Sequence, residues 1–434
     1  MAHEREVVLK PFIDQADYMN ERVSSGIELY RKGRLNIKVV DEDGNAVPDA
    51  KITVKQKNHE FRYGANLFAL NEFSDSDESN EFKRLFSECF NLATLPFYWK
   101  TVEPEKGKTR YTKDSPHIYR RPTIDSCLEF CEQYGLEPKA HCLDYDSWTP
   151  EWCHYDKLED VRKALYHRFE ELSSLYAHRI PSWEVTNETL FSSVEANTVH
   201  YLQNDTLEWD FRTADKFFPQ NKLIINDAAD NIWPVFNGNR SAYYMLIERA
   251  LSKGLRIDSI GMQFHFFRDA EEEKKSGVEL YTPSNIYKVL DRYADFGLPV
   301  QITESTIPCF SPDYDDEDIQ AEILKNLYSM WFSHPCMEAI IYWDFVDGHC
   351  WTPYNIGFIK NDLTPKKAYY TIRDLFGKTR RTNLDTCTNS YGQASFKAFF
   401  GEYDITVHSN EKSVTKTLSF SKNGKSDFTL NIKI

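Results

Sequence analysis

Two short stretches carry groups able to do chemistry: Ser182-Trp183-Glu184-Val185-Thr186-Asn187-Glu188 and Pro299-Val300-Gln301-Ile302-Thr303-Glu304. Each reads as a short buried strand that ends in a carboxylate, and the second follows the turn-like Phe296-Gly297-Leu298. At the mouth of a parallel barrel, strand ends bring side chains from distant parts of a chain to one rim. Two carboxylates meeting there suit displacement at an acetal carbon, one held protonated for the leaving oxygen and the other ionised to attack. A single Glu at a strand end is ordinary surface or capping chemistry, so the weight falls on the elements around the pair.

Those elements alternate as an α/β barrel requires. Strand patterns are expected at 61–68, 89–98, 137–143, 182–188, 222–227, 257–266, 299–304 and 339–343. Apolar stripes such as Val161, Leu165, Phe169, Leu172 and Tyr176, or Ile286, Val289, Leu290, Tyr293 and Phe296, mark helices between them. Gly135, Gly254 and Gly297 stand where helix C-caps belong. The expected core is a (β/α)8 TIM barrel over residues 59–380.

Outside it the period changes. A helix is expected over 12–32, and Leu35, Ile37 and Val39, a turn at Asp43-Gly44-Asn45, then Ile52 and Val54 read as two half-buried strands. Two strands alone are not stable. Partners are available after Gly377, where a β region begins at Ser395 and continues through 415–420 and 427–434. The stretches Val39-x-Asp-x-Asp-Gly and Ala50-x-Ile-x-Val, and Phe396-x-x-Phe-x-Gly-x-Tyr-x-Ile-x-Val407, resemble strands of a carboxypeptidase-regulatory-like or transthyretin-like β-sandwich. The expectation is one all-β sandwich split by the barrel, residues 1–58 supplying a helix and its first strands and 381–434 the rest.

The expected barrel strands end in His141, Asn187-Glu188, Asn226-Asp227, Gln263 and His265, Glu304, and Trp343. Six strands thus deliver polar or stacking groups to one rim. The motifs His141-Cys-Leu-x-x-x-x-x-Thr-Pro150-x-Trp152, Trp183-Glu-Val-Thr-Asn187-Glu188, Leu223-Ile-Ile-Asn226-Asp227, Gly261-Met-Gln263-x-His265, Ile302-Thr-Glu304 and Trp343-x-x-x-Asp347-x-x-x-Trp351 resemble those of glycoside hydrolase family 10, the β-1,4-xylanases, over residues 60–377.

The resemblance implies Glu188 as general acid/base and Glu304 as nucleophile of a retaining, endo-xylanase-like hydrolase of xylan or xylo-oligosaccharides. It further implies Asn187 on the sugar 2-OH, His265 orienting Glu304, His141 and Gln263 at the sugar beside the scissile bond, and Trp343 and Trp351 as its platform and roof; Tyr145, at a departure from the family's pattern, is expected among the substrate-binding residues. Glu188 is expected to hold its proton and Glu304 to be ionised. Asn226 and Asp227 read as scaffold. No metal or cofactor is implied, since a metal-dependent barrel would want His-x-His where Gly64-Ala65-Asn66 stands.

The chain also departs from the family's pattern. The Asn and Lys that grip the second sugar are replaced by residues around Leu95 and Tyr98, a Trp-His pair by Tyr145-Asp146, a Gln by Trp148, and the acidic residue after the nucleophile by Thr306. A different or substituted β-glycan, or a barrel that binds glycan without cleaving it, therefore stays open.

The bulk numbers agree with a neutral or weakly charged substrate. A net charge of -15 without a basic stripe argues against nucleic acid and anionic membranes, and 15% aromatics supply stacking faces for a polysaccharide or oligosaccharide. Nine scattered cysteines without C-x-x-C pairs read as reduced core thiols. With neither an apolar span nor a leader visible, the reading is cytoplasmic, or secreted if a leader has been removed. Oligomeric state is left open.

Overall fold

A computed structural model describes residues 4–73, 75–192, 196–311, 314–409 and 412–431. Two strands come first, β1 (Lys32–Val40) and β2 (Lys51–His59). The barrel strands follow: β3 (Arg62–Asn66), β4 (Leu92–Pro96), β5 (Glu137–His141), β6 (Ser182–Asn187), β7 (Lys222–Asp227), β8 (Ser259–His265), β9 (Val300–Thr306) and β10 (Met337–Tyr342). They close in sequence order, with β10 pairing parallel to β3. Helices such as Leu158–Tyr176 and Pro283–Tyr293 turn their apolar stripes onto the barrel, and Gly135 and Gly297 cap helices in the left-handed conformation, at φ 66° and 68°. Eight expected strands are all present; β7 has the expected bounds, and the other seven are trimmed or shifted by a few residues at one or both ends.

The chain then returns through β11 (Asn383–Cys387), β12 (Gln393–Phe399), β13 (Gly401–Ser409), β14 (Lys412–Phe420) and β15 (Asp427–Asn431). β1 lies between β12 and β15 in one sheet, while β2 lies between β11 and β13, with β14 beyond, in the other. Leu35, Ile37 and Val39 of β1 face Ile52 and Val54 of β2 and Tyr403, Ile405 and Val407 of β13 in a core separate from the barrel's. The sandwich is therefore built from both ends of the chain. Within the β region expected from Ser395, the chain bends at Phe400 and changes sheets. Gly401 allows the bend, because a Cβ there would lie 2.0 Å from the carbonyl oxygen of Asn58.

The sandwich meets the barrel at the N-terminal ends of its strands. Arg31 donates to the carbonyls of Phe332, His334 and Met337, and His59 is buried among Tyr63, Phe332, Phe376 and Phe399. No helix among the described residues is long and apolar enough to cross a membrane, and the nine cysteines are unpaired, six of them buried.

Candidate active site

At the C-terminal rim lies a cavity of about 300 Å³ whose walls include His141, Tyr145, Asn187, Glu188, Gln263, His265, Glu304, Trp343 and Trp351. All nine residues expected at the site thus share one cavity. The strands place them there: β5 ends at His141, β6 at Asn187, β8 at His265, and β9 carries Glu304 two residues before its end. Register shifts around Glu184 in β6 and Gln263 in β8 are local irregularities that re-aim side chains just below the rim. Glu188 itself takes a left-handed backbone, φ 52°, and donates its N–H to the Asn226 carbonyl at 3.2 Å. Such a conformation in a non-glycine residue costs energy and is typical of functional turns.

One amide nitrogen joins the two carboxylates. Gln263 Nε2 donates to Glu188 Oε1 at 2.9 Å and to Glu304 Oε1 at 3.2 Å. The other oxygen of Glu188 accepts from the Tyr145 hydroxyl at 2.6 Å. Burial and the Glu188 charge both raise the tyrosine's pKa, so it remains a donor across the accessible pH range.

On the other carboxylate the sequence expectation needs correcting. Burial pushes the Glu304 carboxyl up to about 8; His141 opposes the push, and the charges of Glu184 and Glu188 add to it. Glu304 is therefore inclined to hold a proton. The histidine beside it agrees. Burial pushes His265 down to about 4, so its ring is neutral. Thr306 donates its hydroxyl hydrogen to the Trp343 carbonyl, which leaves its oxygen to accept from His265 Nδ1 at 2.8 Å. The ring's proton then sits on Nδ1, and Nε2 presents a lone pair to Glu304 Oε2 at 3.1 Å. A lone pair facing a carboxyl calls for a proton on that carboxyl.

Beneath the rim is a layer the sequence reading missed. Glu184, fully buried, accepts from both Lys139 and His141 Nδ1. Burial works against charge on His141, but the Glu184 carboxylate outweighs it and holds the imidazolium above its ordinary range. Asn226, read as scaffold, donates to Asn187 Oδ1 at 2.8 Å and Glu304 Oε1 at 3.3 Å, and is itself fixed by Thr303 Oγ1 at 2.6 Å. Asn187 Oδ1 is thereby occupied from below, which leaves its NH2 for the cavity. The available signal was a Lys and a Glu at positions of β5 and β6 that a buried strand would fill with apolar residues. Asp227 fits its scaffold reading: it accepts from the backbone N–H groups of Ala228 and Leu190 and from Asn231.

The departures divide. Tyr98 and Trp148 wall the cavity, with ring centroids 4.4 Å apart. Leu95 and Asp146, expected to reshape the pocket, do not reach it. Leu95 is buried in the barrel core, and Asp146 turns away to accept from the backbone of Asn197 and Thr198. Trp343 lies edge-on to His141 at 5.2 Å, and the 41% exposed Trp351 covers His265 at 5.0 Å.

Among the described residues, two groups of side chains have the proximity of a metal site, and neither has the chemistry. In His141, Glu184 and Glu304, Lys139 and His141 already occupy the Glu184 oxygens. In Asp144, His200 and Asp210, Arg162 donates to His200 Nδ1, so the ring proton is on Nε2 toward Asp210 and no lone pair remains for an ion.

A closed eight-stranded barrel with hydrogen-bonded carboxylates at its C-terminal rim and aromatic walls is an arrangement that glycoside hydrolases use. The model of glycosyl hydrolase family 10 matches residues 67–375, and the chain belongs to that family. Across 97% of its length the chain is 26% identical to the anti-sigma-I factor RsgI6 of Acetivibrio thermocellus, and it spans about half, 48%, of that relative. It is 24% identical to endo-1,4-beta-xylanase B of Thermotoga neapolitana, over 71% of this chain and 86% of the relative. Among solved structures, xylanase 10B of Thermotoga petrophila in complex with xylobiose superposes with a TM-score of 0.59 at 23% identity, covering 74% of this chain and 95% of that one. That likeness establishes the fold.

Proposed function

We propose that this chain hydrolyses β-1,4-linked xylan or xylo-oligosaccharides by double displacement with retention of configuration. The observation that carries the reading is the single Gln263 nitrogen bonded to both Glu188 and Glu304. Carboxyls so joined suit the ~5–5.5 Å separation of a retaining pair better than the wider gap that admits a water in an inverting one.

In this reading Glu304 attacks the anomeric carbon and Glu188 protonates the departing oxygen, then deprotonates the water that releases the sugar. The proton on Glu304 has a route out of the way, since Nε2 of His265 faces it with a lone pair. Asn187 holds the 2-OH, Tyr145 and Gln263 hold Glu188 in line, and Trp343 and Trp351 enclose the ring. His141, kept cationic by Glu184, favours the ionised form of Glu304 as substrate displaces water. No step calls for a metal or cofactor.

A second reading has one observation in its favour: the relative matched along nearly the whole chain, sandwich included, is an anti-sigma factor about twice as long. The barrel would then serve as a glycan-binding part of a longer protein. Aryl β-xylobioside, arabinoxylan and glucuronoxylan, offered to wild type and Glu304→Ala side by side, separate the two. Cleavage that disappears with Glu304 supports the hydrolase. Binding of xylo-oligosaccharides by calorimetry without any cleavage supports the second reading and removes the first.

A further inference from the structure

One cation in the cavity wall has no anion. Arg121 is 9% exposed and lines the same cavity as the two carboxylates. Its Nη1 donates to the Arg120 carbonyl at 2.7 Å, and its Nε is buried without a hydrogen-bond partner. Among the described residues no carboxylate lies within ion-pair distance of it. Asp344, whose charge acts on Arg121, is taken by Arg120 Nη2 at 2.6 Å and by the Trp351 N–H at 2.9 Å.

What surrounds the guanidinium is aromatic. Its central carbon lies 4.4 Å from the ring centre of Tyr98, 4.7 Å from Trp148 and 4.8 Å from Phe68. Stacking of this kind helps offset the loss of water, but it uses ring faces and leaves the in-plane N–H groups unsatisfied. Those groups form a planar fork suited to a carboxylate. The segment is also held in place: Arg120 has a left-handed backbone, φ 57°, and its N–H donates to Glu72 at 2.7 Å. A strained residue next to a buried, anion-less guanidinium is an arrangement that packing alone does not require.

Its position in the cavity suggests the ligand. Tyr98 touches His141, with ring centroids 5.0 Å apart, and Phe68 touches Trp343 at 5.0 Å, so Arg121 sits one ring beyond the groups beside Glu304. This is the side on which the resemblance places the second sugar, and where this chain lacks the family's polar grips.

We propose that Arg121 is a specificity-determining residue that receives a carboxylate carried by the glycan on this side of the scissile bond, so that the preferred ligand is a uronic-acid-bearing β-glycan. The proposal rests on the glycan-site reading above, and its test separates the two. The full chain with Glu304→Gln, which blocks turnover, is titrated calorimetrically with a glucuronic-acid-branched xylo-oligosaccharide and with the same compound after reduction of its carboxyl to a primary alcohol. Reduction should weaken binding at least fivefold, and in Arg121→Met on the same background the two ligands should bind alike. A loss smaller than fivefold with Arg121 present overturns the proposal, whether or not the Met variant folds. So does a fivefold preference that persists in a folded Arg121→Met. Wild-type turnover of the unbranched oligosaccharide, followed in parallel, reports on hydrolysis alone: absence of turnover with the carboxyl preference intact would remove the hydrolase reading and keep the anion subsite.

Discussion

At the scale of single residues, the pair of carboxylates was legible because both stand where an apolar strand ends. Their protonation was not, because it depends on what faces each oxygen across strands. Thr306 is the decisive departure: as a hydroxyl it fixes the His265 proton on Nδ1 and turns a lone pair toward Glu304. Thr306→Asp should reverse this. A carboxylate behind Nδ1 favours the imidazolium, whose Nε2–H then donates to Glu304 and stabilises its ionised form. The acidic limb of the kcat/KM profile, which belongs to the carboxyl pair as a unit, should move to lower pH. An unmoved limb would mean that His265 does not govern Glu304. The same raised carboxyl has a consequence for stability. Between its ordinary value of 4.5 and about 8, the unfolded chain has lost a proton that the fold retains, so this group's contribution to stability is present at low pH and lost as pH rises through about 8. Glu304→Gln cannot ionise, so its stability relative to wild type should grow across that window, read as denaturant midpoints at pH 5 and pH 8.

At the scale of elements, alternation of strand and helix and the glycine caps made the barrel readable. The buried ion layer was not readable, because Lys139 and Glu184 meet only through the pairing of β5 with β6, and register is a property of two strands together. The bend between β12 and β13 was missed for a related reason: Phe399 and Phe400 continue a strand-like pattern, and only the approach of Gly401 to the Asn58 backbone breaks it. Close approach also sets a test of the site's foundation. A Cβ on Gly261 in β8 would fall 2.8 Å from Asn226 Oδ1, from the Ile225 carbonyl and from Thr303 Cγ2. Gly261→Ala should therefore cost about 1–3 kcal/mol in overpacking and, by displacing Asn226, lower kcat more than it raises KM. A variant that loses stability at unchanged kcat would show that Asn226 plays no part in aligning Glu304 and Asn187.

At the scale of the whole molecule, the two ends of the chain cooperate away from the catalytic rim. β1 and β2 each lie between strands contributed by the other terminus, and Arg31 and His59 fasten this sandwich to the barrel's N-terminal end. We propose on this basis the division into residues 1–58, 59–380 and 381–434, one inserted barrel and one split sandwich. Deletion of 381–434 should strip amide hydrogen-exchange protection from residues 34–57 and leave the barrel strands protected. Full protection of 34–57 in the truncated chain would contradict the split. The central claim concerns the rim, that Glu188 and Glu304 act as acid/base and nucleophile of a double displacement. The most direct measurement is proton NMR of the first product released from a β-linked xylo-oligosaccharide, recorded before mutarotation. The β-anomer is the predicted result, and an α-anomer formed first would contradict the account.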